Sequence, residues 1–132
     1  MPAGYRTYKI NDFIKKNLLG EVDLDTSIKL IREIATATEI HHDYNLLIDV
    51  RQAVPLKNFT DLLTIAAEFT KFKGVLRNKI AFIIPNEPSR IERARFFIKS
   101  LDEVSFQIKY FTEYEEAIEW FSIVEKYPKN NT

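Results

Sequence analysis

The sequence predicts an α/β domain built around a mostly parallel sheet, and three observations carry that expectation. Two continuous apolar runs, 46–50 and 79–84, read as strands covered on both faces. Around them, segments with apolar residues at helical spacing alternate with strand-like runs, the order of parallel crossover units. The chain has 132 residues, 45% of them hydrophobic, with only 3 Gly and 5 Pro, which suits one globular domain and not a disordered or fibrous chain.

The elements follow in order. Runs at 5–10 and 13–19 flank Asn11-Asp12 and read as a leading hairpin. Gly20 closes its second strand. Asp23 or Asp25 then caps a helix whose Ile28, Ile31, Ala35 and Thr38 share one face, ended by Glu39-His41-His42-Asp43. The strand at 46–50 leads to a helix capped by Asn58, with Leu62, Ala66, Phe69 and Phe72 inward and Gly74 at its stop. The strand at 79–84 is halted by Pro85. Ser89 and Glu92 match a capping box before a helix with Ile91, Ala94, Ile98 and Leu101 buried. Residues 105–111 alternate strictly, with Phe106, Ile108 and Tyr110 on one side and Gln107 and Lys109 on the other. That pattern is an edge strand, and Lys109 discourages further pairing. Thr112 and Glu115 match a second capping box, before Tyr114, Ala117, Ile118, Phe121 and Val124. The expected order is ββαβαβαβα: about five strands and four helices, with the hairpin making the sheet mixed. Residues 1–127 form a single domain in this reading, and 128–132 a frayed tail.

Composition narrows the function classes. Nineteen basic and nineteen acidic residues cancel, which argues against a nucleic-acid binder. No apolar run reaches the ~20 residues of a membrane span, and the first residues lack a signal-peptide pattern. The absence of Cys excludes disulfides and thiol chemistry and agrees with a cytoplasmic location. Charge is unevenly spread, however. Residues 71–99 hold eight basic groups against Glu87 and Glu92, while 100–125 hold seven acidic groups against Lys109. These segments can pair within the chain or form a dipolar surface for a partner or a second copy, leaving a homo-oligomer open.

Candidate chemistry is sparse. His41-His42-Asp43 is the only histidine cluster, and with no third imidazole no metal site is expected. No G-x-S-x-G, P-loop or dinucleotide fingerprint occurs. Asp49, near the end of a central strand, is either a ligand contact or base, or a carboxylate satisfied by the next loop and Arg51. The second account is favoured. Trp120 sits beside the inward face of the last helix and reads as a packing residue, with an interface anchor as the alternative. The carboxyl edge of the central strands would gather Asp49, Arg51, Asn58, Asn86, Ser89 and Arg90, a set suited to an anion. The competing account is local: Asn58 and Ser89 cap helices, and the arginines pair with Asp49 and Glu87.

Three stretches resemble a known family. They are the opening through Gly20-Glu21-Val22, the run Leu46-Leu47-Ile48-Asp49-Val50-Arg51, and the ending Phe111-Thr-Glu-Tyr-Glu-Glu-Ala-Ile-Glu-Trp-Phe. Together they look like the STAS superfamily of sulfate-transporter and anti-sigma-factor-antagonist domains, in its small stand-alone STAS/SEC14-like bacterial branch. The resemblance implies a mixed-sheet fold with four helices and a binding or regulatory role. In anti-sigma-antagonist members a serine in a D-S-[ST]-G-like motif is phosphorylated. Here the region reads Pro55-Leu-Lys-Asn-Phe-Thr-Asp61, so Thr60 is the only hydroxyl and a phospho-switch is not expected. SEC14-like kinship implies an apolar ligand, although so short a chain is expected to enclose little internal volume. The leading expectation is a non-enzymatic module, without a cofactor, for a protein partner or small ligand. The alternative is a ligand-binding domain or enzyme with an anion- or lipid-accepting site at the strands' carboxyl edge.

Overall fold

The computed structural model describes residues 7–10, 12–40, 44–54, 58–72, 79–101 and 107–123. In chain order the elements are β1 (Phe13–Glu21), α1 (Leu24–Ile40), β2 (Asn45–Val54), α2 (Phe59–Lys71), β3 (Lys79–Ile83), α3 (Pro88–Ser100), β4 (Gln107–Phe111) and α4 (Tyr114–Ser122). The sheet runs β1-β2-β3-β4 in space, and every pairing is parallel. The two strands with continuous apolar sequence occupy the centre, and the alternating strand lies at one edge, as their burial patterns require.

The leading hairpin is not formed. Residues 7–10 carry no strand, and the sheet has four parallel strands among the described residues instead of about five mixed ones. Ile10 packs in the cluster around α4, and the Tyr8 hydroxyl donates to Glu115 Oε2 at 2.8 Å. Side-chain cover over α4 thus replaces a ladder. Expectations at Tyr5, the His41-His42-Asp43 loop, Gly74, Phe106, Val124 and the 128–132 tail lie outside the described residues.

A sequential strand order places successive crossover helices on one face when the crossover hand is constant. The two cores follow that rule. Ile31 and Ile34 of α1, Ile65 and Phe69 of α2 and Phe97 of α3 pack with Ile48 and Ile80 on one face of the sheet. Phe69, Phe82 and Phe97 meet there edge to face, with centroids 5.8–6.4 Å apart. The other face belongs to α4, whose Ala117, Trp120 and Phe121 cover Leu47, Ala81 and Ile83.

Caps explain several helix boundaries. Asp23 Oδ1 accepts from the Thr26 N–H at 2.8 Å, and Asn58 Oδ1 from the Asp61 N–H at 3.0 Å. The two expected capping boxes are absent. α3 starts two residues earlier, with Glu87 at the cap and Pro88 opening the helix, a position where its missing N–H costs nothing. α4 starts after Glu113, and neither glutamate makes a side-chain cap bond. The far end of α4 is held differently. Buried Lys79 donates from Nζ to the Trp120 and Ile123 carbonyls, both at 2.8 Å, a cation at the negative helix end.

Candidate functional site

The core between the sheet and the α1–α2–α3 layer does not close completely. A half-open cavity of about 180 Å³ remains at the carboxyl end of the strands. Leu30, Ile48, Val50, Ile65, Phe97 and Ile98 form much of its wall, and Ser27, Arg90, Arg93 and Tyr110 bring the polar atoms. The space opens to solvent and is not enclosed, so the expectation of little enclosed volume is not contradicted. The physical reason for the opening is layer geometry: three helices meet the sheet along one face, and their first turns spread around the strand ends.

A β-bulge shapes the rim. Asn17 pairs with Asp49, but Leu19 pairs with Gln52, so β2 carries one extra residue opposite β1. Simple alternation would send Val50 and Ala53 to opposite faces. Both instead line the cavity, while Asp49, Arg51 and Gln52 line a separate cleft. Gly20 follows on the neighbouring strand with φ +68°, a backbone state that glycine adopts without strain.

Arg90 ties the bulge to α3. Its Nη2 donates to the Val50 carbonyl at 2.8 Å and its Nη1 to the Ala53 carbonyl at 3.2 Å. Val50 lies in the bulged stretch, and Ala53 lies just past it, paired with Gly20. Burial pushes the guanidinium below its ordinary value, Glu87 opposes that shift, and Arg93 adds to it. Arg93 lies one turn further along α3, its guanidinium 5.3 Å from the centre of the Phe59 ring. Phe59 also meets Phe96 at 4.7 Å and is partly exposed, as are Val54 and Leu63. Of these, Val54 lines the cavity, together with Arg90 and Arg93.

Asp49 and Arg51 lie on the α4 side of the sheet. Asp49 Oδ1 accepts from the Arg51 backbone N–H at 3.0 Å and from its Nε at 3.1 Å, and Oδ2 accepts from Nη2 at 2.7 Å. The Arg51 hydrogen bonds hold the Asp49 carboxyl below the usual range, against the cost of burial, with help from Lys15. This is the locally satisfied carboxylate that the sequence favoured. Beside it, Lys15, Asn17 and Gln52 complete a polar cleft of about 170 Å³.

The six residues expected at the strand edge are thus divided. Arg90 lines the apolar cavity, and Asp49 and Arg51 line the polar cleft on the opposite face. Asn58 caps α2, while Asn86 and Ser89 are exposed and line neither space. Thr60 is exposed in the first turn of α2, its carbonyl accepting from Thr64 Oγ1. The pairing of Arg90 with Glu87 is replaced by the two carbonyl bonds to β2. Sequence reasoning missed Arg93 and Phe59. The available signal was spacing, since Arg90 and Arg93 stand three apart and share one helix face.

Among the described residues no helix is long and apolar enough to cross a membrane, and no cluster of metal-ligating side chains occurs. No family model, curated protein or solved structure matches this chain.

Proposed function

We propose that this chain is a non-enzymatic binding module whose cavity, between α1–α3 and the sheet, takes a small apolar ligand. The observation that carries this reading is the cavity itself, about 180 Å³ with a wall built mainly of aliphatic and aromatic side chains. An apolar cavity of ~150 Å³ lined by Leu, Ile and Phe is large enough to bind benzene. Few, localised polar groups within an apolar wall are the usual make-up of small-molecule sites.

A catalytic reading would use Asp49 as base. That carboxylate is engaged by Arg51 and lines a different cleft, so it has no access to a ligand in the cavity. The STAS-like role of a regulatory module fits this proposal, with ligand occupancy as the signal passed to a protein partner. Native mass spectrometry of the purified chain, before and after solvent extraction, tests it. We expect an extractable small-molecule increment, or a thermal shift with small apolar compounds. A bare mass together with no shift across such compounds contradicts the reading.

A further inference from the structure

Arg90 poses a problem that an apolar ligand alone does not solve. It is half-buried, lines an otherwise apolar cavity, and among the described residues no carboxylate pairs with it. Its hydrogen bonds go to the Val50 and Ala53 carbonyls, neutral acceptors that use two of the five N–H donors of a guanidinium. Arg93 brings a second cation to the same cavity, and Glu87 is the acidic group whose field reaches Arg90. A partly desolvated cation beside a like charge gains most from an anion placed in the same low-dielectric space.

Resting on the cavity reading above, we infer that the natural ligand class is an amphiphile with one anionic head, carboxylate or phosphate. The head sits against Arg90 and Arg93, and the apolar body fills the cavity. The volume sets the body's size. Scaled from the benzene-sized cavity, about 180 Å³ accommodates roughly six to eight carbons. Longer chains would extend past the rim at exposed Val54. The planar guanidinium fork suits either head group, because both present paired oxygens.

The test is a calorimetric head-group series on the unaltered protein: octanoate, octyl phosphate, octanol, octylammonium and acetate. Octanoate or octyl phosphate should bind at least about tenfold more tightly than octanol, the ratio expected for one charge-assisted hydrogen bond. Octylammonium should bind more weakly than octanol, and acetate should not bind measurably. The stronger of the two anions identifies the head. Octanol matching or exceeding both anions would overturn the anionic class while leaving the apolar cavity reading intact. Failure of every eight-carbon compound to bind would overturn both. A second measurement uses Arg93→Gln, which leaves the Arg90–β2 bonds in place. It should reduce the anion-over-octanol preference severalfold without changing octanol binding, and an unchanged preference in this variant would count against the two-arginine head site.

Discussion

Arg90 and Val50 join the first turn of α3 to the bulged end of β2, through a 2.8 Å hydrogen bond from Nη2 to the Val50 carbonyl. The companion bond to the Ala53 carbonyl makes the guanidinium a fork across the bulge. Arg90→Met removes both bonds and should lower stability by about 1.5–3 kcal/mol, the range for hydrogen bonds to charged groups. Arg90→Lys should recover only part of this, since an ammonium cannot span both carbonyls in one plane. Urea denaturation reads both values, and an unchanged midpoint for Arg90→Met contradicts the role.

Ala94 faces the cavity from α3. Ala94→Leu places new apolar volume where a ligand would sit. It should raise stability by about 0.5–2 kcal/mol, as cavity-filling changes do, and should weaken ligand binding at least tenfold. Thermal melts with and without ligand give both numbers. A destabilised variant that still binds would mean that the cavity is not where the ligand goes.

Glu68 links α1 to α2. Its Oε2 accepts from Arg32 Nε and its Oε1 from Lys71 Nζ, each at 3.1 Å, with the carboxylate side chain only 7% exposed. Burial raises its pKa, but the bonds from Lys71 and Arg32 outweigh burial and hold it below its ordinary 4.5. The folded-state value lies below the unfolded one, so the stabilisation is fully present above the unfolded value. It is lost as pH falls through the folded value. The stability gap between wild type and Glu68→Gln should therefore be constant near neutrality and shrink below about pH 4.5. A gap that widens on acidification contradicts this sign.

Lys79 holds the end of α4 from the start of β3, its ammonium also lying 5.3 Å from the Trp120 ring centre. Lys79→Met keeps the stem and removes the donors, leaving two carbonyls without them. The expected cost is about 1–3 kcal/mol, with faster amide exchange in α4 than in α1. Uniform loss of protection across both helices would argue against a local cap.

Much of the architecture was legible because strand burial writes itself into hydrophobic pattern. The uninterrupted Leu46-Leu47-Ile48 run is central, and the alternation of Gln107, Ile108 and Lys109 marks an edge. Asn58 and Asp23 were readable as caps because their bonds are local. The α3 start was not, although Pro88 marks it better than the Ser89/Glu92 spacing does. In place of the hairpin, residues 7–10 contact α4: Ile10 packs in its cluster and the Tyr8 hydroxyl donates to Glu115. The cavity is not written in any segment, because its volume depends on how three helices meet the sheet. The bulge after Asp49 hid the site in the same way. It changes which face Gln52 and Ala53 occupy, so simple alternation misassigns them.

The most direct test of the cavity as the functional site is a toluene titration followed by methyl NMR. Saturable shifts should appear at Leu30, Ile48, Val50, Ile65 and Ile98, which line the cavity. Leu47 and Ile83, packed beneath α4 on the opposite face, should stay unmoved. Saturable shifts at Leu47 and Ile83, or none at the cavity methyls, would contradict the account.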